Sequence, residues 1–255
     1  MGLIAENIRQ KVPYLLGLKL FRDLSEQELE ILLIPSQIKH FSESAMLLME
    51  GSRPEFICVL LSGQARIYRA DENGNEAVTR MLQAGETMFE NVLFDERPSA
   101  VNGQVIREAE ILFIPARAVH KLLEQSQAFA KNLIQILAER TNQMMHRVEQ
   151  VAIHTASYRL GAYLLGTMKQ QQVIDGSFTL QFDKSMIAKY LGMTPETFSR
   201  AIANLRKQGI EVLQQQIVLT EPDALCQFCD SFCAPHCENH QGGRPCSKRE
   251  NNGCR

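Results

Sequence analysis

Cysteine is concentrated at one end of this 255-residue chain. Six of the seven cysteines lie in the stretch CQFCDSFCAPHCENHQGGRPCSKRENNGC, at Cys226, Cys229, Cys233, Cys237, Cys246 and Cys254. The first four fall within twelve residues, and four thiolates at that spacing can surround one [4Fe–4S] cluster. Zinc also takes four thiolates, with His236 and His240 as extra candidate ligands. Closely spaced thiols can instead form a disulfide switch. Cys246 and Cys254 are candidates either for further ligands or for resolving thiols.

A second segment has the pattern of a DNA-reading helix pair. Residues 183–213, DKSMIAKYLGMTPETFSRAIANLRKQGIEVL, predict a helix, a tight turn at Gly192 and a second helix. Thr194 is the expected N-cap of the second helix, and Pro195 occupies its first position. In a helix-turn-helix the second helix enters the major groove, so its N-terminal side chains are the candidate readers of base sequence. A plain helical hairpin with a solvated charged face is the alternative.

The side chains of this segment suit contacts with DNA. Arg200 can donate a bidentate pair to guanine, and Glu196 can accept from cytosine or adenine amino groups. Lysine and arginine elsewhere in the pair can hold phosphates. The candidate DNA-binding residues are Thr194, Glu196, Thr197, Ser199, Arg200, Lys184, Lys189, Arg206 and Lys207.

The elements that must position these residues precede them in the chain. Residues 24–33 predict a helix that begins with a capping box, Ser25 and Glu28. Short strand-like runs then recur at 56–61, 65–70, 78–82 and 109–115. Glycines separate these runs, and Asn73-Gly74 is a strong hairpin signal. The spacing predicts a small antiparallel barrel or jelly roll.

Residues 116–157 return to a helical period. A helix of that length with one apolar stripe needs a partner for the stripe, and the simplest partner is a second copy of the chain. Packing of the stripe on the chain's own barrel is the alternative. The predicted dimerisation residues are Leu133, Ile136, Arg140, Met144, Val148 and Val151.

This order of elements resembles the superfamily of the cyclic-AMP receptor protein and the fumarate–nitrate reduction regulator (CRP/FNR). GSRPEFICVLLSGQARIYR resembles its barrel signature, and MIAKYLGMTPETFSRAIANLRKQGI resembles its recognition segment. The resemblance implies an α+β chain. Its parts are a cyclic-nucleotide-binding-like β-barrel (jelly roll) in 1–125, a dimerisation helix in 126–157, a winged helix-turn-helix in 158–222 and a cysteine-rich tail in 223–255. It further implies a homodimeric transcription regulator that binds double-stranded promoter DNA and contacts RNA polymerase.

The recognition segment also resembles one branch of that superfamily. Glu196, Ser199 and Arg200 match the E-x-x-S-R pattern of the FNR branch. The match implies TTGAT-type half-sites arranged as an inverted repeat.

Three signals are compatible with this resemblance. Cyclic nucleotide binding is disfavoured, because Phe89 replaces a small residue of the family's phosphate cassette and Pro98 separates Arg97 from Ser99. The family's adenine-contacting pair aligns with Met144-Met145. Haem in the sensor domain is the second candidate, as in nitric-oxide-responsive members. Its axial ligand would come from the methionines or from His40, His120, His146, His154 and Cys58.

The cysteine-rich tail is the third candidate, and we expect it to be the sensing site. FNR itself holds a cluster through N-terminal cysteines, but no cysteine precedes Cys58 here. Bacillus-type FNR proteins hold a cluster through C-terminal cysteines, and the tail resembles them in position. This implies a [4Fe–4S] cluster on Cys226, Cys229, Cys233 and Cys237 that responds to redox state, O2 or NO. The alternative within the family is a haem-based NO or CO sensor with a zinc-binding tail.

Composition sets the wider limits. With 45% hydrophobic and 22% charged residues, the chain reads as a globular protein of about two domains. Residues 1–125 carry 13 Lys and Arg against 18 Asp and Glu, whereas 158–222 carry 7 against 5, so the later part suits a polyanion better. No signal peptide or membrane span is expected, hence a cytoplasmic protein. An iron–sulfur electron-transfer protein or enzyme is the alternative of another class. It is disfavoured because the chain lacks G-x-x-x-x-G-K and H-E-x-x-H motifs.

Overall fold

The computed structural model of the protein describes residues 3–90, 94, 97–173, 176–221 and 224–229. These residues form two units, which divide between Gln143 and Met144. The architecture is mixed α+β, as predicted: a β-rich first unit, a long helix and a helix-rich second unit. None of the helices in the described part of the chain has the length and apolar character needed to cross a membrane.

Short helices open the first unit. They are α1 (Glu6–Arg9), α2 (Val12–Leu16), a 3-10 turn (Lys19–Phe21) and α3 (Glu26–Leu33). The predicted capping box begins α3, because the Ser25 hydroxyl accepts from the Glu28 backbone N–H and the Glu28 carboxylate accepts from the Ser25 backbone N–H. Leu29, Leu32 and Leu33 then bury the inner face of α3.

Six antiparallel strands form the barrel-like sheet. They are β1 (Gln37–Phe41), β2 (Met46–Leu48), β3 (Phe56–Ala70), β4 (Glu76–Gln83), β5 (Thr87–Met88) and β6 (Asn102–Pro115). The strand order is β1-β6-β3-β4, with β2 on β6 and β5 on β3. The Asn73-Gly74 hairpin is confirmed between β3 and β4, with Gly74 at a φ of 80°.

Two runs that were expected to be separate strands, 56–61 and 65–70, are one strand, β3. Gly63 accounts for the difference. It has a φ of 86°, and an added Cβ would lie 2.2 Å from the Glu108 carbonyl oxygen. The register with β6 shifts on either side of it, so this glycine marks a bulge in a continuous strand and not a turn.

The predicted 116–157 helix is interrupted. It consists of α4 (Ala116–Gln125) and α5 (Gln127–Ile153). Ser126 causes the break, because its backbone is extended and its hydroxyl accepts from the Phe129 backbone N–H at 3.0 Å. α5 therefore starts with its own cap and ends at Ile153.

The N-terminal half of the predicted dimer stripe belongs to the core of its own unit. Leu133 and Ile136 are buried at 2% and 7% exposure, in the cluster that joins the N-terminal helices to the outer face of the sheet. Arg140 is also engaged within its own unit, with Glu90 and Thr87. The expectation that these three residues lie at a dimer interface is therefore corrected, since the first unit itself covers them. Met144, Val148 and Val151 remain exposed.

The second unit carries the predicted winged helix-turn-helix. Its elements are α6 (Ala156–Gln170), β7 (Ser177–Thr179), α7 (Lys184–Tyr190), α8 (Pro195–Arg206), β8 (Ile210–Val212), β9 (Gln216–Leu219) and a final 3-10 turn (Cys226–Phe228). The three strands pair in the order β7-β9-β8. The turn between α7 and α8 contains Gly192 at a φ of 65°, as its sequence indicates.

Candidate DNA interface and sensor sites

Helix α8 presents the predicted base-reading residues to solvent. Thr194 caps the helix, with its hydroxyl accepting from the Thr197 backbone N–H at 3.3 Å, and Pro195 occupies the first turn. Phe198, Ala201 and Leu205 face the core. The opposite face is therefore free for a groove, and its exposed residues include Glu196, Ser199 and Arg200.

The charges on this face are set for hydrogen bonding. The backbone N–H of Glu196 and the Thr194 hydroxyl hold the pKa of the Glu196 carboxyl below its usual range. Glu196 is therefore an ionised acceptor at neutral pH. Arg200 is exposed, and its Nε makes a long hydrogen bond of 3.4 Å to the Glu196 carbonyl oxygen. A guanidinium at such a position has the donor groups that a bidentate contact to guanine requires.

The candidate phosphate contacts flank the recognition helix. Arg206 and Lys207 are exposed at the C-terminal end of α8, while Lys184 opens α7 and Lys189 is exposed in its last turn. A further residue ties α8 to the rest of the unit: Asn204 Nδ2 donates to the Ser157 hydroxyl at 3.1 Å, in the first turn of α6. This anchoring contact lies on the polar face, and sequence reasoning missed it because it joins distant residues.

Phe89 fills part of the barrel interior, at the place where the family resemblance would put a nucleotide. Phe89 is buried in the barrel cluster, and its backbone is held at a φ of 69°, a left-handed conformation that is costly for a bulky residue. The ring lies on Gly103, where an added Cβ would be 2.8 Å from Phe89 Cζ. The phenyl ring therefore fills space that a small residue would leave open.

Glu90, the acidic residue next to Phe89, is also engaged with groups of its own unit. Glu90 is fully buried and forms an ion pair with Arg140 of α5. Arg140 Nη2 also donates to the Thr87 carbonyl and hydroxyl oxygens at 2.6 and 2.8 Å. Arg80 lies 3.9 Å from the same Glu90 oxygen. Burial, helped by the positive charge of Arg80, lowers the pKa of Arg140. The Glu90 carboxylate is thus paired with an arginine of its own unit.

The candidate axial ligands of the first unit lie in different surroundings, and Met46, Met49 and Cys58 are the ones that line a groove. His40 is exposed, 3.8 Å from a Glu110 oxygen, and exposed His120 meets the Phe94 ring edge-on. Burial raises the pKa of the Cys58 thiol, which disfavours the thiolate that binds metals. A groove of about 440 Å³ runs beside Cys58 and Phe89, and none of the described residues that line it is a histidine.

The two other candidate histidines lie in the second unit. His146 contacts the Gln150 amide at 3.4 Å, and the His154 ring stacks on Tyr158 with centroids 3.9 Å apart. Both are therefore engaged with neighbouring side chains of α5 and α6.

Two of the tail cysteines fall within the described residues. Cys226 and Cys229 bracket the last 3-10 turn, and the Cys229 backbone N–H donates to the Cys226 carbonyl at 3.1 Å. Both are buried, at 8% and 6% exposure, and neither forms a disulfide. The spacing of the pair, Cys-x2-Cys, is one that cysteine ligands of metal sites commonly have. The other predicted ligands, Cys233, Cys237, Cys246 and Cys254, lie outside the described residues.

The turn that carries these cysteines is docked on α6, which the sequence did not suggest. Phe228 is buried, and an added Cβ on Gly161 would lie 2.4 to 2.6 Å from its ring atoms. The sequence did contain one indication, because a glycine inside a helix that is not a cap often marks a position where another group packs closely. Its partner was not predictable, because the contact is long-range. Among the described residues, no group of three or more His, Cys, Asp or Glu is arranged for a metal ion.

Comparison with known protein families matches both units. Residues 38–126 match the family described as cyclic nucleotide-binding domain, and residues 158–228 match the Crp-like helix-turn-helix domain. The second match ends at Phe228, so the docked turn falls within it while most of the tail lies beyond it.

Individual relatives match along most of their length. The cyclic AMP receptor protein of Thermus thermophilus is 23% identical over 76% of this chain and 88% of its own. The anaerobic regulatory protein of Bacillus subtilis is 23% identical over 85% of this chain and 92% of its own. The solved structure of FixK2 from Bradyrhizobium japonicum superposes with a TM-score of 0.67, at 20% identity over 77% of this chain and 98% of its own, which shows a shared fold.

Proposed function

Since the chain belongs to the CRP/FNR superfamily of DNA-binding transcription regulators, we propose that it binds TTGAT-like inverted repeats as a homodimer gated by a metal site in its cysteine tail. Members of this family bind DNA, act as dimers and are not enzymes. The observation that carries the proposal is the pairing of an open α8 face with two buried cysteines on one DNA-binding unit.

The exposed face of α8 supports the proposal that the protein recognises TTGAT-like half-sites. Glu196, Ser199 and Arg200 share it, and their chemistry suits guanine and cytosine or adenine edges. The test is a gel shift with a TTGAT inverted repeat and a scrambled duplex of equal length. Arg200→Ala should lose about 1–3 kcal/mol of discrimination between the two. Lys207→Ala is the matched control, which should weaken both complexes alike and lower the salt dependence by about one phosphate contact. Undiminished discrimination by Arg200→Ala would contradict the assignment.

The exposed stripe on the C-terminal half of α5 supports the homodimer. Met144, Val148 and Val151 are 68%, 70% and 57% exposed, and a run of apolar side chains this open is typical of an interaction face. Because the first unit covers Leu133 and Ile136, these two residues are not available to a second copy, whereas Met144, Val148 and Val151 are. Val148→Asp should convert a dimer to a monomer in analytical ultracentrifugation. Gln143→Asp, which adds the same charge at an exposed polar position, should leave the dimer intact.

The buried cysteine pair supports the tail as the holder of the signal. A [4Fe–4S] cluster on Cys226, Cys229, Cys233 and Cys237 would supply sensitivity to electrons, O2 or NO. The described pair fits such a group, because its thiols are screened from water and free of disulfide. Around it, Leu225 and Phe228 exclude solvent and fix the turn on α6. RNA polymerase as a further partner remains a prediction from the family.

Two other signals receive less support. Zinc fits the same cysteines, and the presence of acid-labile sulfide distinguishes a cluster from it. Haem in the sensor domain is disfavoured, because the groove beside Cys58 lacks a histidine among its described lining and the Cys58 thiol is held protonated by burial. A haem stoichiometry near one per chain with iron-free tail cysteines would reverse this order.

A further inference from the structure

The turn at residues 225–229, here named the tail turn, is packed as a part of the DNA-binding unit. Leu225, Cys226, Phe228 and Cys229 are all buried, and only Gln227 is exposed. Two backbone bonds close the turn, from Phe228 N–H to the Leu225 carbonyl at 3.0 Å and from Cys229 N–H to the Cys226 carbonyl at 3.1 Å. The candidate metal ligands and the aromatic anchor are therefore fixed in one short segment.

Gly161 makes room for that anchor. It lies inside α6, where glycine costs helix stability relative to alanine. Any Cβ there would overlap the Phe228 ring at 2.4 Å, closer than side-chain atoms can approach. Gly166 in the same helix has nothing within 4 Å of an added Cβ. The two glycines differ only in what stands against them, so Gly161 is a docking position for Phe228.

From Phe228, a row of rings leads to the start of α6. The Phe228 ring meets Tyr158 edge-on at 5.7 Å, and Tyr158 stacks on His154 at 3.9 Å. His154 stands in the short connection between α5 and α6, and Thr155 caps α6 by accepting from the Tyr158 backbone N–H at 3.3 Å. The tail turn therefore contacts the α5–α6 junction within the second unit.

The recognition helix is tied to the same turn of α6. Asn204 of α8 donates to the Ser157 hydroxyl, next to Tyr158. Arg147 of α5 donates to the Tyr190 carbonyl at 2.6 Å, with its guanidinium 4.1 Å from the ring of that α7 residue. Ser157 thus contacts α8, and Tyr158 contacts His154, which follows the last residue of α5.

We infer that Phe228 is a positioning residue that transmits the metal state of the tail to the α5–α6 junction and the recognition helix. This rests on the proposed metal site in the tail. Phe228 lies between two candidate ligands, so a metal held by Cys226 and Cys229 restricts the tail turn and keeps the ring against Gly161 and Tyr158. Without metal the turn regains conformational freedom, the ring leaves its site more often, and the junction loosens.

The test uses the full chain purified without oxygen, before and after removal of metal with oxidant and chelator. Three readouts are taken: metal and sulfide per chain, affinity for a TTGAT inverted repeat, and hydrogen exchange of residues 154–161. Wild-type affinity should change by about 10-fold on metal removal, with faster exchange in 154–161. Phe228→Ala and Gly161→Ala should keep their metal but respond by less than about 2-fold. They should also show fast exchange in both states.

Matched controls separate docking from general damage. Gln227→Ala changes the exposed residue of the same turn, and Gly166→Ala adds a methyl group to the same helix in open space. Both should respond to metal as the wild type does. If Phe228→Ala and Gly161→Ala hold metal and keep the full affinity response, the inference is overturned while the proposed metal sensor stands. If the wild type holds no metal, both are overturned.

Discussion

The barrel interior and the tail turn each bury a phenylalanine against a glycine, Phe89 in the barrel and Phe228 in the tail turn, but the residues around the two rings differ. In the barrel, Phe89 occupies space next to Gly103, and the neighbouring Glu90 is buried in an ion pair with Arg140. In the tail turn, Phe228 occupies space next to Gly161 and is bracketed by Cys226 and Cys229, two of the four proposed metal ligands. The barrel pairs its buried carboxylate with an arginine of the same unit. The tail turn holds two of the four proposed cysteine ligands in one fixed segment, and on this difference we base the proposal that the tail is the sensing region.

The cysteines give the largest contrast between the two regions. Cys229→Ala should remove nearly all bound metal, because a four-thiolate site rarely keeps its ion or cluster after losing a ligand. Cys58→Ala should keep the full amount, since its thiol is a buried side chain of the barrel core with a raised pKa. Metal analysis of both variants beside the wild type checks this. Equal metal loss in the two variants would remove the distinction between barrel and tail.

The ion pair in the barrel gives the next effect. Arg140→Met leaves Glu90 buried without its main cationic partner, which should lower the free energy of unfolding by about 3–5 kcal/mol. The double variant Glu90→Gln, Arg140→Met removes both charges and should recover much of that loss. Denaturant melts of the three proteins supply the measurement. A single variant as stable as the wild type would mean that the pair does not hold the barrel together.

Packing of the Phe89 ring gives a smaller effect. Gly103→Ala should destabilise the protein by about 1–3 kcal/mol, because the new methyl group would overlap the ring. Gly166→Ala should instead stabilise it by about 0.5–1 kcal/mol, as helix propensity favours alanine and the site is open. Thermal melts of the two variants should therefore move in opposite directions.

Cyclic AMP gives the smallest effect. A ligand that binds only the folded state raises stability by RT ln(1 + [L]/Kd), about 2.7 kcal/mol at a hundredfold excess over Kd. With Phe89 in the pocket and Glu90 paired to Arg140, we expect no shift in melting temperature at millimolar cyclic AMP. A shift of several degrees in the melting temperature would show that the barrel still accepts a nucleotide. The contrast drawn between the barrel and the tail turn would then be wrong for the barrel.

Local rules predicted much of the fold. The Ser25–Glu28 capping box, the Asn73-Gly74 hairpin and the Thr194 cap depend on residues within a few positions of one another, and each is confirmed. The order of barrel, long helix and winged helix-turn-helix is also as predicted. The exposed polar face of α8 was accessible to sequence reasoning for the same reason, since its amphipathic spacing is local.

Long-range contacts account for what was missed. The periodicity of α5 identified Leu133 and Ile136 as apolar positions but could not say that their own unit covers them. The gap at Arg140 is explained by Glu90, which is distant in sequence. Gly161 and Phe228 likewise had no mutual signal in a single sequence. In each case the residue type indicated that the position could be buried or closely packed. Which residue it would contact depends on tertiary packing and could not be predicted.

The central claim is that metal in the tail controls DNA binding, and one sample tests it most directly. Protein purified without oxygen is divided for iron, sulfide, zinc and haem quantitation and for affinity measurements on a TTGAT inverted repeat before and after air exposure. The account predicts about four iron and four sulfide per chain, little zinc or haem, and an affinity change of about 10-fold as the iron is lost. A protein that lacks iron and sulfide, or one whose operator affinity is the same with and without them, would contradict it.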